Sequence, residues 1–474
     1  MRPLLTVFLF LSTLLAGEQK PAPAPEELVF TNVSVVDTRT GEIGHNRTVV
    51  VRNGHIASIA KVALIGKVRD IQVVNANGKY LIPGLWDMHV HSAGGSVAPW
   101  DEKIVYPLQI VNGVTGIRDM GGDPTLLEQR RSRIEKGEIL GPHMIMAGPF
   151  LTSGKSDTQT IGVNTPAEGR QAVDALKKRG VDFIKILSVS HDSYVAIADE
   201  SAKQHIPFVG HVPESVSVAE ASVAGQRSIE HLGGFLLACS SKESELRQQR
   251  LEAIAKNDGK SYHAAEMEAL ATYSADKAQG LFIQLKDNST WQVPTLVWTQ
   301  ADANLDDPKI KDDPRLKYVP TSVRREWDPS DFLKQVPPER LLERKKIFAR
   351  YLELAGAMRK MEVPFLAGSD GPDPYVFPGF SLHDEMELLV KAGFTPTQSL
   401  QAATLNPALF FGKLDEYGVV EKGRVADLVL LDGDPTEDIR NTRKIDSVVL
   451  RGRLYSREDL DKILSRVEEL ASKE

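Results

Sequence analysis

At 474 residues, with 42% hydrophobic and 26% charged side chains, the chain has an ordinary globular composition. It is long enough for two or three domains, or for one large barrel with an accessory module. A net charge of -7 and a pI near 6.0 exclude the basic surface that nucleic-acid binding requires. The lone cysteine, Cys239, excludes an intramolecular disulfide and a thiolate zinc site, so any metal must be held by other side chains.

The first 25 residues differ in texture from the rest. Met1-Arg2 precedes an apolar run from Leu4 to Ala16, and a Pro/Ala-rich stretch follows as far as Pro25. This is the layout of a secretory signal peptide with its leader, too short for a comfortable membrane span. An uncleaved anchor is the alternative reading. No cysteine follows the run, so lipid attachment is not expected, and no later segment is apolar enough to cross a bilayer. The expectation is an exported protein, periplasmic or secreted, with no membrane span once mature.

Residues 26–83 read as short strands separated by turns such as Arg52-Asn53-Gly54. The same texture returns in Asp427–Leu431 and Ser447–Gly452, so residues 26–83 and 414–460 are expected to form one small β-sandwich from both chain ends. Between them, residues 84–413 alternate strand-like and helix-like segments. Thr165-Pro166-Ala167-Glu168 marks a helix start with N-cap, N1 proline and capping-box glutamate, and Gly180 marks its stop. Thr395-Pro396-Thr397-Gln398 repeats the signal. Strand candidates end at His91, Arg118, Gly148, Leu187, His211, His231, Val297 and Asp370. Eight strands alternating with helices predict an α/β fold, a (β/α)₈ TIM barrel, with a helical insertion at about 240–290.

Polar residues sit where a barrel gathers its chemistry. His89 and His91, two apart at a strand end, share one face. His211, His231 and Asp370 each close a strand of small and apolar residues, and Lys185 interrupts the apolar strand Val181–Leu187. Alone, a strand-end histidine is more often structural, Asp370 fits a turn or helix cap, and Lys185 fits an edge strand. All six at the same end of successive strands fit convergence on one catalytic face. Imidazole and carboxylate without thiolate suit Zn²⁺, with Mn²⁺, Co²⁺ and Fe²⁺ as rivals. A protonated lysine cannot ligate.

These residues resemble the amidohydrolase superfamily in its binuclear form. The shared segments are Leu81–His91, Gly113–Gly122, Ala402–Ala408 and Gly423–Val429. The resemblance implies two divalent ions, one held by His89, His91 and Asp370 and the other by His211 and His231. It also implies that a CO₂-derived carbamate on Lys185 bridges them. A hydroxide shared by two ions would be the nucleophile, one ion would polarise the carbonyl, and Asp370 would be the catalytic proton shuttle. Within the superfamily, Val181–Ile186, Gly210–Val212, Ile229–Leu232 and Ser381–Leu388 are similar to the prolidase-like and imidazolonepropionase-related branch. That implies hydrolysis of the C–N bond of a dipeptide or N-acyl amino acid. The loop Gly148–Asp157 departs from that branch in lacking its Gly-Gly-His-type run, which leaves the substrate pocket open.

Substrate-contact candidates by position are Tyr194, Lys155, Arg118 and Trp298. His143 falls at the wrong end of its strand for catalysis, and His383 and Glu385 open a helix after the eighth strand, as supporting or packing residues. Lactone or phosphotriester hydrolysis is the enzymatic alternative, and a non-catalytic binding protein on the same scaffold is the other. Partners are a small molecule or dipeptide, with self-association left open.

Overall fold

The computed structural model describes residues 26–61, 70–94 and 100–474. The signal-peptide and leader segment expected over 1–25 lies outside the described residues. No helix among the described residues is long and apolar enough to cross a membrane.

The barrel closes strand by strand. Leu85–Val90, Val114–Asp119 and His143–Met146 pair in parallel. The third strand then kinks at Gly148, and its continuation, Phe150–Thr152, pairs with Ile184–Ser188. Asp182 donates its backbone N–H to the Met146 carbonyl at 2.9 Å and seals that joint. Phe208–Gly210, Ser228–Glu230 and Trp291–Val293 follow in parallel order. The eighth segment joins through bridges from Phe365 to Gln292 and from Gly371 to Val90. Burial on both faces, unbroken along Leu85–Val90 and Val114–Asp119, is what a sheet wrapped in helices demands. A cluster of Trp86, Met88, Met120, Ala147, Phe183, Val209, Val293, Leu366 and Phe410 draws on most of the barrel strands.

Helix starts agree with the capping chemistry. Pro166–Arg179 has Thr165 and Glu168 in a capping box and Gly180 left-handed at its end, and Pro396–Ala402 uses Thr395 and Gln398 likewise. The expected insertion is three helices, Glu243–Ala255, Gly259–Ala271 and Ala275–Asp287. Two expectations need correction. The seventh strand stops at Val293, because Thr295 turns left-handed (φ 44°) and the helix Leu296–Ala303 begins. A second helical excursion, through Thr321–Glu326 and Pro329–Gln335 to the long helix Pro338–Lys360, lies between the seventh and eighth strands and was not foreseen.

The chain ends meet in one eight-stranded sheet. Tyr80–Pro83 pairs with both Glu27–Val36 and Leu428–Leu431, joining the N-terminal to the C-terminal strands. The far strand, His55–Ala60, returns onto the segment before Leu428: Ile56 N–H donates to Arg424 O, and Ala426 N–H donates to Gly54 O. One sheet folded on itself, rather than two stacked sheets, thus encloses Leu28, Phe30, Val49, Val51, Ile56, Leu81, Leu428 and Leu430. After it, Arg457–Ala471 forms a helix with Leu460, Val467 and Ala471 buried. His143 Nε2 lies 2.8 Å from Asp427 of the sheet, a structural role at the base of the barrel.

His383, in the helix Phe380–Lys391, is buried between Thr442 Oγ1 (2.9 Å) and the Asn112 carbonyl (3.0 Å). Burial, aided by Arg443, lowers its pKa to about 3. An unfolded histidine takes up its proton near about pH 6.5, so the unfolded state binds the proton first as pH falls. The stability His383 contributes is therefore complete above about pH 6.5 and is lost as pH falls towards 3. Urea-unfolding midpoints of chelator-treated protein should drop over this window. His383→Gln should show a shallower drop, and an unchanged slope in that variant would contradict the assignment.

Candidate functional site

The C-terminal ends of the barrel strands bring together His89, His91, His211, His231, Asp370 and Lys185. His89 Nε2 and His91 Nε2 each lie 3.3 Å from Asp370 Oδ1, and His231 Nδ1 lies 3.5 Å from Oδ2. The His89 and His231 rings are 4.7 Å apart, and those of His211 and His231 4.9 Å. One donor atom from each of His89, His231 and Asp370 falls within 4.8 Å of the others. Lys185 Nζ is fully buried, has no hydrogen-bond partner, and feels the charges of Glu230 and Asp370.

Local backbone geometry makes this crowding possible. His89 and His91 keep the period of two. His231 (φ 60°) and Asp370 (φ 66°) instead leave their strands in the left-handed region, which non-glycine residues adopt at a cost. At His231 the change of hand breaks the alternation, so Glu230 and His231 both reach the interior although adjacent in sequence. Asp370 is tied to the first strand, donating its N–H to His89 O at 2.7 Å, and His91 donates its N–H to Gly371 O at 2.9 Å. Asp87, wholly buried, accepts from Ser369 N–H (2.9 Å), Ser369 Oγ (2.6 Å) and His89 N–H (3.2 Å).

Protonation follows burial. Desolvation holds the pKa values of His89 and His231 well below the usual imidazole range and brings His211 to about 3, with Lys185 and neighbouring imidazoles adding repulsion. At His91 burial alone would do the same, but the hydrogen bond and charge of Asp370 outweigh it and raise the value. Desolvation also lowers Lys185 to about 8, against the pull of Glu230 and Asp370. Three imidazoles are thus neutral at pH 7, the form in which histidine binds metal. The donors are nitrogen and oxygen, and two of them, His89 Nε2 and Lys185 Nζ, are buried polar atoms without partners. A divalent cation is the group that such a set fits.

Residues 339–455 match the family model described as "Amidohydrolase family". Among solved structures, the bottromycin amidohydrolase superposes with a TM-score of 0.72 at 23% identity, covering 94% of this chain and 91% of that one. A Xaa-Pro dipeptidase with methionine bound in its active site gives 0.64 at 19% identity, over 91% and 100%. An adenine deaminase from Rubrobacter xylanophilus is 23% identical over 87% of this chain, which spans 55% of that relative's length. The match to the amidohydrolase family thus covers the C-terminal quarter of the chain, and the likeness of fold extends over nearly all of it. Its TIM-barrel fold is that of these neighbours.

The four residues suggested as substrate contacts have different settings. Arg118 is fully buried beneath the cluster, bonded to Glu230, Ser228 and the Met88 carbonyl, and so cannot face a substrate. Tyr194 is 1% exposed and donates its hydroxyl to Gln226 Oε1 at 2.7 Å, turned into the core. These two expectations are corrected: a guanidinium and a phenol that look like free recognition groups in sequence are committed to internal partners. Lys155 lies on the exposed stretch that follows the third strand. Trp298 does border the site. Its ring centroid is 5.9 Å from that of His231, and its indole N–H donates to Asp373. Phe150 lies 5.6 Å from His91, so an aromatic ring borders each of these two histidines.

Asp87, Glu230, Thr295 and Ser369 were missed from sequence as parts of the site. Thr295 Oγ1 lies 2.7 Å from His231 Nδ1, and the Gly121 carbonyl lies 2.9 Å from His91 Nδ1. A charged residue within a buried strand, as Asp87 and Glu230 are, was the available signal. Gly368 permits the tight approach of the first and eighth strands: a Cβ there would lie 2.7 Å from His89 Cβ and 2.8 Å from Val293 Cγ1. Gly368→Ala should therefore cost about 1–3 kcal/mol, as overpacking does. It should also displace His89, read as a lower denaturation midpoint together with weaker zinc retention. Wild-type values of both would show that the seam has slack.

Proposed function

We propose that this chain is a metal-dependent hydrolase that cleaves the C–N bond of an amide, in a dipeptide or N-acyl amino acid. The observation that carries this reading is the pair of buried, unpartnered donors, His89 Nε2 and Lys185 Nζ, beside the Asp370 carboxylate. His89, His91 and Asp370 would hold one ion, His211 and His231 a second, and Lys185, as its carbamate, would join them. Zinc suits the donor set best. When bound, two such ions supply a water activated at neutral pH and a Lewis acid for the carbonyl.

The remaining work falls to side chains. Asp370 would take a proton on its carboxylate from the attacking water and pass it to the departing nitrogen, which must leave as an amine. His89, His91 and His231 are each held through Nδ1, by Glu230, by Gly121 O and by Thr295, so little reorientation is needed when substrate arrives. Phe150 and Trp298 border the cluster with apolar surface, which favours a substrate with an apolar or aromatic group beside the scissile amide. The bottromycin amidohydrolase and Xaa-Pro dipeptidase neighbours support the choice of an amide. The apolar run Leu4–Ala16 supports export as the setting.

Purified protein should hold about two equivalents of divalent metal and lose activity on chelation. Asp370→Asn should keep most of the metal while kcat falls by about 10²–10⁴. Metal analysis and steady-state rates on N-acyl amino acids and dipeptides check this, with lactones and aryl phosphotriesters assayed alongside. A native protein without metal would refute the enzyme reading. Faster turnover of a lactone or phosphotriester would refute the amide, and near wild-type turnover of metal-replete Asp370→Asn would refute the shuttle.

A further inference from the structure

Beneath the cluster lies a closed network that includes none of the residues expected to bind metal except His89. Glu230 has no solvent exposure, and neither has Arg118. Arg118 Nη2 lies 3.1 Å from Glu230 Oε1 and 3.0 Å from Oε2, and Arg118 Nη1 donates to Ser228 Oγ at 2.9 Å. The Ser228 hydroxyl in turn donates a hydrogen bond to Glu230 Oε1 at 2.5 Å. Arg118 Nε donates to the carbonyl of Met88, the residue before His89, at 2.6 Å. The remaining contact of Glu230 Oε2 is His89 Nδ1, at 3.0 Å.

We infer that Glu230, clamped by Arg118 and Ser228, is the positioning residue that fixes the tautomer and the aim of His89. Both Glu230 oxygens accept from Arg118, which can only donate, and Oε1 accepts from Ser228 as well, so His89 Nδ1 is the donor to Oε2 and carries the ring proton. Its lone pair is then confined to Nε2, the buried atom that faces Asp370 without a hydrogen-bond partner. The Nε–Met88 bond holds the backbone on which His89 stands, so one guanidinium sets both the base of the imidazole and the anion that orients it. At His91 the partner of Nδ1 is a neutral carbonyl, Gly121 O. At His89, enclosed on all sides, it is a carboxylate paired with a guanidinium. A carboxylate behind a ligating imidazole raises its basicity, and losing such a partner typically weakens metal binding about 10–100-fold.

This inference rests on the metal site proposed above, and its test separates the two. Zinc stoichiometry and zinc loss to a competing chelator are measured for wild type, Glu230→Gln, Ser228→Ala and the double variant Arg118→Met/Glu230→Gln, with urea midpoints in parallel. Glu230→Gln leaves Arg118 buried without a counter-charge and is expected to lose stability for that reason alone. The double variant removes the charges as a unit and should regain the midpoint. If Glu230 positions His89, the double variant still binds zinc about 10-fold or more weakly, and Ser228→Ala shows a smaller loss in the same direction. If the network is only structural, zinc affinity recovers with the midpoint, which overturns the inference while leaving the metal site standing. Wild-type protein that takes up no zinc overturns both.

Discussion

Asp87 Oδ1 accepts the N–H groups of Ser369 and His89, and Oδ2 accepts the Ser369 hydroxyl, joining the first barrel strand to the eighth from within. Beside it, backbone bonds run from Met88 N to Ala367 O, from Asp370 N to His89 O and from His91 N to Gly371 O. This seam is where the barrel closes, and it is also what places three of the six clustered side chains on two strands far apart in sequence. Burial raises the pKa of Asp87 to about 7, opposed by the bonds from Ser369 and His89. The seam is thus a buried carboxyl held in place by the backbone and hydroxyl donors it joins. Neither ladder nor carboxylate suffices alone, because Gly368 must first let the strands approach.

The interior below the mouth contains Asp87, Glu230, Arg118 and Lys185, each with essentially no exposure. Burying so many ionisable groups opposes folding unless each finds a partner. Arg118 and Glu230 compensate each other, and Asp87 is compensated by backbone and hydroxyl donors. Lys185 has no such partner, and burial answers by pulling its pKa down to about 8. His89 Nε2 and Lys185 Nζ, which face the cluster, are by contrast left without a hydrogen-bond partner. That contrast separates groups that hold the fold from groups kept available for a ligand.

The six residues of the cluster were legible because a barrel imposes a rule that sequence can express: strands end at one face, so a polar residue closing an apolar strand is conspicuous. The barrel strands and the helix starts at Thr165 and Thr395 followed from periodicity and capping chemistry for the same reason. The orienting residues obey no such rule. Glu230 precedes His231, and a period of two would send it to the opposite face. Only the left-handed turn at His231 brings both inside, and a φ of 60° at a histidine leaves no trace in composition. Arg118 and Tyr194 failed in the other direction, since a long polar side chain reads as a recognition group until its buried partners are known. The helices between Leu296 and Lys360 were hidden because a polar, weakly periodic stretch carries little information about which surface it covers.

The left-handed residues join these observations. His231, Thr295 and Asp370 all adopt positive φ at strand ends, and Thr295, with its branched side chain, does so at the greatest steric cost. Each is bound into the cluster: Thr295 to His231, His231 beside Asp370, and Asp370 to the first strand. Strain of this kind persists only where surrounding contacts over-determine the conformation. Here those contacts are the seam at Asp87 and the ion pair at Glu230, both beneath the mouth and out of reach of substrate. Rigidity is therefore built from below, and the aromatic rings of Phe150 and Trp298, which touch His91 and His231, take no part in those contacts.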